Sequence, residues 1–382
     1  MKVNFVIVLC AVLAFGVSCS GKQKQAGSSS TGAAGTITVT DLAGREVTIK
    51  MPVKKISTNW AGTGGAFMTM SALLGKDVAD YISSWDRDLQ TYRFDMWEHY
   101  RSTIPALENI PIVGDFETND LNLEMLIALK PDLVIWTLGV KQQAESTVEP
   151  TLAKAGIPIV YIDHHAETIE NHSRSTRLLG KIFGKEERAE ELVKFYVDNM
   201  NLITKRLSGI QNKPLVYVEV AYGGPEKYSN TFSDSYSWGS MIAKAGGTSL
   251  GEGKVEKFGA LEAETVIAGK PDLIIFGGSY WPDIPESLRM GYLSSEDDTQ
   301  RLLRNYLKRP GWNSLSAVKN KQVFAIYFAL AFGMYDAASV AFLAKCIHPE
   351  LFADIDPMAM LRDYYSRFMP YDISGVWMTQ IE

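Results

Sequence analysis

The chain has 382 residues, 46% of them hydrophobic, 11% aromatic and 21% charged, with a formal net charge of −6 at pH 7. That length holds two core-bearing units, by the rough guide of about 100–200 residues per domain. The acidic balance and scattered basic residues exclude a nucleic-acid footprint, and three cysteines exclude a disulfide framework.

The first elements set the compartment. Lys2 precedes the apolar run FVIVLCAVLAFGV (5–17) and the small residues Ser18-Cys19. A basic start, a short apolar core and a small-residue site read as a signal peptide over 1–18. The core falls short of the roughly 20 apolar residues that a spanning helix needs. Cleavage before Cys19 puts that residue where bacterial lipoproteins carry their acyl chains; Ser18 and Cys19 fit that site, and Gly16 stands where it usually has Leu. Residues 19–35, rich in Gly, Ser and Gln, read as a flexible tether to the membrane surface. Without the signal, Cys19 and Cys346 remain, which leaves no thiolate metal site; Cys346 reads as a small core residue.

The stretch TITVTDLAGREVTIK (36–50) alternates β-branched residues around Ala43-Gly44 and predicts a hairpin. Short apolar runs follow at KKIST (54–58), VADYIS (78–83), DLVIW (132–136) and PIVYID (158–163), separated by amphipathic stretches. Such an order predicts an α/β lobe with a buried parallel sheet over 36–183. A second series, LVYVEV (215–220), DLIIF (272–276) and QVFAIY (322–327), predicts another lobe over 211–382. Between them, residues 184–210 carry a helical stripe of Leu192, Phe195, Tyr196, Met200, Ile203 and Leu207, which fits a stiff bridge or an ordinary surface helix.

One segment occurs twice. LNLEMLIALKPDLVIW (121–136) and LEAETVIAGKPDLIIF (261–276) share a Glu, five residues, then Lys-Pro-Asp-Leu and a strand; Glu124 and Glu264 stand 140 positions apart, as do Pro131 and Pro271. Two copies in register argue for related lobes. Each Glu opens a short helix, where a carboxylate favours the dipole, so capping and function remain open from the residues alone.

The segments TDLAGREVTI (40–49), NLEMLIALKPDLVIW (122–136), AGIPIVYID (155–163), LLGKIFGKEERAEELV (178–193) and AETVIAGKPDLIIFGG (263–278), in this order, resemble the periplasmic binding proteins of the iron-siderophore, haem and cobalamin class. The tail HPELFADIDPMAMLRDYYSRF (348–368) is similar to the end of longer, iron-complex-binding members. The resemblance implies two Rossmann-like α/β lobes joined by a single long helix, the class III arrangement, with a small metal chelate or macrocycle held between them and no catalytic residue. It implies an ABC importer permease dimer with its ATPase as partner, docked through Glu124 and Glu264, and an extracytoplasmic, lipid-anchored location.

Loops leaving the carboxyl ends of the strands are expected to face the cleft. They offer Trp60, Trp85, Arg87, Phe116, Trp136, Tyr222, Tyr236, Trp238, Phe258, Tyr280, Trp281 and Tyr327 as ligand-binding candidates. Trp85, Phe116 and Phe258 lie near positions where the cobalamin-binding relatives place aromatic contacts. Flat π-rich walls suit a macrocycle or hydrophobic chelate. Basic residues are sparse, with Arg87 and Lys141 in the first lobe, and this disfavours ferric catecholates and carboxylate siderophores. The expected cargo is an iron complex, siderophore or haem, with a corrinoid as the alternative. A metal-dependent enzyme or chelatase on the same fold would need convergent His or carboxylate ligands inside the cleft, and a receptor working without a permease is a third reading, against which permease and ATPase genes beside its own would count. Asp163-His164-His165 with His172 reads as surface rather than as a metal cluster. Gly247-Thr248-Ser249-Leu250-Gly251 matches a hydrolase motif by letter only. AGTGGAF (61–67) reads as a tight turn or an anion-binding helix start.

Overall fold

The computed structural model describes residues 35–116, 118–165 and 168–382; the expected signal peptide, Cys19 and nearly all of the expected tether lie outside them. Residues 34–382 form one compact unit. Among the described residues, no helix is long and apolar enough to cross a membrane.

Strands β1 (Gly35–Thr40) and β2 (Glu46–Met51) form the expected hairpin, with Ile37 opposite Ile49 and Val39 opposite Val47. Asp41 shapes its turn, accepting at 2.9 Å from the amides of both Ala43 and Arg45. The first sheet then builds up from β3 (Ile56–Thr58), α1 (Ala66–Leu74), β4 (Ile82–Ser84), α2 (Asp88–Tyr92) and α3 (Phe94–Thr103). It is completed by α4 (Leu123–Ala128), β5 (Leu133–Thr137), α5 (Lys141–Thr147), α6 (Glu149–Lys154) and β6 (Ile159–Ile162). Its order is β4-β3-β5-β6, parallel throughout. The expected strand at 78–83 is corrected: Gly75, at φ 63°, turns the chain into a 3-10 helix that runs to Tyr81, and the strand begins at Ile82. In β5 the two faces separate as the pleat requires, with Leu133 and Ile135 in the main core and Val134 and Trp136 in a smaller one.

Helix α7 (Ile169–Phe183) is capped by Thr168, whose hydroxyl accepts from the Asn171 amide, and ends on Gly184 in the left-handed region. Helix α8 (Glu186–Arg206) follows at once; its 21 residues span about 31 Å. Glu186 and Glu187 at its start and Lys205 and Arg206 at its end complement the dipole, and the stripe from Leu192 to Ile203 is buried.

The second sheet comes from β7 (Leu215–Val220), β8 (Asn230–Phe232), α9 (Ser237–Lys244), β9 (Thr248–Ser249), β10 (Phe258–Ala260), α10 (Ala263–Gly269) and β11 (Leu273–Gly278). It continues through α11 (Glu296–Tyr306), α12 (Ser316–Lys319), β12 (Val323–Tyr327), α13 (Asp336–Ile347), α14 (Pro357–Phe368) and β13 (Met378–Gln380). The order is β13-β12-β11-β7-β9, with β13 antiparallel at the edge; β8 and β10 form a separate antiparallel pair.

The sequence echo is a structural one. Lys130 and Lys270 both take left-handed φ values, 50° and 46°, which end α4 and α10 before each Pro. Asp132 then accepts from the Lys54 and Lys55 amides at 2.9 Å, and Asp272 from the Leu215 amide at 2.8 Å. Each aspartate thereby ties the start of its strand to the neighbouring strand.

The main apolar core runs through both sheets, from Val39 to Ile381. Polar contacts reinforce it: buried Asp95 of α3 accepts from the Tyr327 hydroxyl at 2.8 Å and the Tyr292 amide at 2.9 Å. Tyr100 stacks on Tyr371 with ring centres 3.7 Å apart. A continuous core and buried cross-links of this kind resist the opening of one half away from the other.

Candidate functional site

A cavity of about 630 Å³ lies where loops from the carboxyl ends of the two sheets meet. Its first-sheet side follows β3 with Trp60 and Thr63, β4 with Asp88, Thr91, Tyr92 and Arg93, and β6 with His165. Its second-sheet side follows β7 with Tyr222, β11 with Trp281 and Asp283, and β12 with Phe328 and Phe332. Ser229, Asn230, Phe232, Tyr236, Ser237 and Phe258 complete it from around β8, α9 and β10. Open parallel sheets bind ligands at this end because the connecting loops diverge there.

The wall is a chain of rings. Phe258 stacks on Tyr236 at 5.8 Å, Tyr236 on Phe232 at 6.4 Å and Phe232 on Phe328 at 6.5 Å. Phe328 meets Phe332 edge-on, Phe332 contacts the His165 ring at 4.7 Å, and His165 contacts Trp60 at 5.0 Å. Across the opening, Tyr222 and Trp281 meet edge-on at 5.2 Å. Phe258 is 53% exposed and Tyr222 39%, so apolar rings stand unburied at the mouth. Exposed aromatic surface inside a concavity is what a flat apolar ligand would cover.

Two residues of this wall carry unusual backbone. Trp60 has φ 49° and Ser237 φ 46°, a region that costs a side-chain-bearing residue about 1–3 kcal/mol. The Trp60 turn is held by Asp86, which accepts from the Trp60 amide at 2.5 Å, and by the Trp60 carbonyl, which accepts from the Thr63 and Gly65 amides. Asp88 accepts from the Gly62 amide at 2.6 Å and the Thr63 hydroxyl at 2.8 Å. These bonds occupy the amides of Gly62, Thr63 and Gly65, so the glycine loop is a tight turn rather than an open anion cradle. At Gly65 an added Cβ would lie 1.8 Å from the Asn59 carbonyl oxygen.

Burial pushes the Asp88 carboxyl above its usual range, and nearby Arg93 and the two hydrogen bonds pull it back. Burial also raises Asp86 well above its ordinary value, reinforced by Asp88. The His165 ring is held below the usual imidazole pKa by burial, and its Nε2 faces the Thr63 carbonyl.

Of the candidates read from sequence, Trp60, Tyr222, Tyr236, Phe258 and Trp281 line the cavity. Seven are placed elsewhere. Trp85 is 1% exposed in the core, edge-on to Phe67 and Trp97, and Trp238 is fully buried beneath Phe328. Phe116 packs edge-on against buried Trp136 in the smaller core. Tyr327 is buried against Asp95, Tyr280 stacks on Phe94, and Arg87 is exposed outside the cavity. Lys141 pairs with Glu145.

His164 and His172 correct the surface reading: they are 1% and 0% exposed, with rings 5.4 Å apart. Among the described residues no three His, Cys, Asp or Glu side chains group as metal ligands. Ser249 of the hydrolase-like motif is buried and donates to the Phe232 carbonyl at 2.6 Å. Cys346 is a buried free thiol. Glu124 and Glu264 are exposed in the first turns of α4 and α10, and neither side chain makes an ion pair or hydrogen bond among the described residues.

Sequence reasoning missed Arg93, Asp88, His165, Phe232, Phe328 and Phe332. Phe328 and Phe332 follow the end of β12 directly, where the aromatic read from sequence is Tyr327. Arg93 sits between two helices and carries no strand-end signal.

Residues 94–329 match the family model described as periplasmic binding protein. The chain is 41% identical to a TroA-like periplasmic binding protein, FepB, from Veillonella parvula; the match covers 91% of this chain and all of that one, with a TM-score of 0.87. It is 25% identical over 353 residues to the molybdate-binding protein MolA of Haemophilus influenzae, 86% of this chain and 90% of that protein. It is also 22% identical over 355 residues, 91% of this chain and 97% of that one, to the ABC transporter substrate-binding lipoprotein YvrC of Bacillus subtilis. With two α/β sheets flanking one long helix and a ring-lined cleft between them, the chain belongs to the periplasmic binding protein family, as a solute-binding protein of an ABC importer and not an enzyme.

Proposed function

We propose that this protein captures an iron complex, haem or a siderophore with an apolar body, in the cleft and hands it to its importer. The observation that carries this reading is the ring chain from Phe258 to Trp60 around a cavity of about 630 Å³. A tetrahedral oxyanion such as the molybdate of MolA needs a small nest of hydrogen-bond donors and leaves most of such a wall uncovered. A corrinoid is the second reading, favoured by the open, exposed rings Tyr222 and Phe258 at the mouth, which a ligand larger than the cavity would cover.

Delivery is read as docking through Glu124 and Glu264, two exposed carboxylates on equivalent helices of the two lobes, facing arginines of a two-fold permease. Cys19 is read as the acylated anchor. The absorption spectrum of the protein purified from its own cells tests the cargo. A Soret band or a ferric charge-transfer band supports an iron complex, corrinoid bands support the alternative, and molybdenum in a colourless protein overturns both.

A further inference from the structure

The carboxyl-terminal segment crosses between the two halves of the molecule. Helix α14 lies against α8 and α1. Arg188 of α8 donates from Nε to the Ala72 carbonyl at 3.2 Å and from Nη2 to the Arg367 carbonyl, and its guanidinium covers the Phe368 ring at 4.7 Å. Residues 369–382 then run as a strap with two anchored ends. At the first end Tyr371, 3% exposed, stacks on Tyr100 of α3 with ring centres 3.7 Å apart and planes 9° apart, and Asp372 Oδ1 lies 2.8 Å from His99 Nε2. At the second end Val376 and Gly291 exchange backbone hydrogen bonds of 2.7 and 3.1 Å, and buried Trp377 packs against Tyr292 at 4.8 Å, Tyr327 at 4.9 Å and Tyr365 at 5.8 Å. The strap finishes as β13 on β12, where the Ile381 amide donates to the Val323 carbonyl at 2.9 Å and Gln300 Nε2 to the Thr379 hydroxyl and Gln380 carbonyl at 3.0 and 2.8 Å.

Ile373, Ser374 and Gly375 alone connect the two ends, and the last two are exposed. Gly375 has φ 78°, and an added Cβ would lie 2.0 Å from the Gly291 carbonyl oxygen, so the crossing is pressed against the second half. A chain reaches at most about 3.3–3.6 Å per residue, so this connection cannot follow both anchors when the halves separate. The ends are unequal. A ring stack and one carboxylate contact hold the first, whereas a strand ladder and a buried indole hold the second, so the first end yields before the second.

We propose that residues 369–382 are a latch between the halves: Tyr371 leaves Tyr100 when they part, the strap stays on the second sheet, and the stack thereby limits how often they separate. Asp95 holds the same junction through Tyr327 and Tyr292, so the latch adds to that join. Its consequence for cargo release rests on the cleft being the cargo site; the parting of the halves does not, so the two readings fail separately.

A thrombin site inserted in the full chain between Asp372 and Ile373 lets the strap be cut after folding, and the uncut protein is its own control. Amide hydrogen exchange is followed by mass spectrometry before and after cutting. The fragment from Ile373 to Glu382 is expected to stay bound through gel filtration, held by β13 and Trp377. Exchange in α3 and at residues 290–293 is expected to speed up about tenfold or more once the covalent crossing is lost, while β5 and β11 change by less than about twofold. Tyr371→Ala, uncut, is expected to give the same pattern at about 2- to 10-fold, the range for one aromatic stack, and Tyr371→Phe, which keeps the ring, less than about twofold.

Unchanged exchange in α3 and at 290–293 after cutting, or in Tyr371→Ala, overturns the latch, because the core and Asp95 would then hold the halves without it. Loss of the cut fragment overturns the order of release, since the second end would be the weaker. Equally faster exchange in β5 and β11 overturns the proposal too, because the strap would then support the whole fold rather than the junction. None of these outcomes touches the cleft reading.

Discussion

Asp95 joins the two halves of the molecule from behind the cleft, and replacing it with Asn tests that join. Its carboxyl is 0% exposed, and burial lifts its pKa to about 6, against the pull of the Tyr327 hydroxyl and the Tyr292 amide. The folded protein therefore holds this proton more tightly than the unfolded chain, whose Asp titrates near about 3.9. The stabilising contribution of protonation is full below pH about 3.9 and is lost as pH rises through about 6. At 1.36 kcal/mol per pKa unit the whole change is about 3 kcal/mol. An amide does not titrate, so the stability of the parent relative to Asp95→Asn should fall by about 2–3 kcal/mol between pH 4 and pH 7. Urea unfolding followed by Trp fluorescence at pH 4, 5, 6 and 7 measures this, and the difference between the two proteins removes the contributions of other groups. Parallel curves for the two proteins would refute the reasoning, because they would mean that Asp95 titrates alike in the folded and unfolded chains.

Arg309→Ala removes a guanidinium packed on Tyr228, Tyr306 and Trp312 and leaves the buried Glu219 carboxylate without its counter-charge, and should cost about 3–5 kcal/mol in urea unfolding. Gly291 has φ 97°, and an added Cβ would lie 2.0 Å from an Asp95 oxygen. Gly291→Ala should therefore cost about 1–3 kcal/mol from backbone strain alone and more from the clash, read as a lowered melting temperature. Reversing both Glu124 and Glu264 to Lys should abolish uptake in a reconstituted importer while the affinity for cargo stays within about twofold, because both side chains are exposed and outside the cavity; undiminished uptake would remove the docking assignment.

The strands were legible because buried parallel strands are nearly continuous apolar runs, and Leu133–Thr137 and Leu273–Gly278 have little else they can be. The repeat was legible because Lys-Pro-Asp-Leu performs the same local task twice. The cleft was only half legible. Position after a strand identifies the right loop, but which way a side chain points depends on single residues. Tyr327 ends β12 and turns inward to Asp95, while Phe328, one residue on, faces the cavity. Trp85, one residue past β4, and Trp136, one residue before the end of β5, are buried in the same way. Arg93, His165 and the buried pair His164 and His172 depend on contacts between distant segments, which spacing along the chain does not encode. Burial holds the pKa of His164 down to about 4 and that of His172 well below the imidazole value, so both are neutral core residues near pH 7.

A ring-lined cleft that takes an organic metal complex should lose affinity for it when its rings are removed. Calorimetric titration of the protein and of a Trp60→Ala, Phe332→Ala variant with haemin, a ferric hydroxamate, cyanocobalamin and molybdate tests it most directly. The expected result is one organic complex bound at a single site, with affinity lowered about tenfold or more in the variant, since each lost ring contact is worth about 0.5–1.5 kcal/mol. Binding of molybdate alone, or an organic complex bound equally well by the variant, would mean that the rings do not hold the cargo.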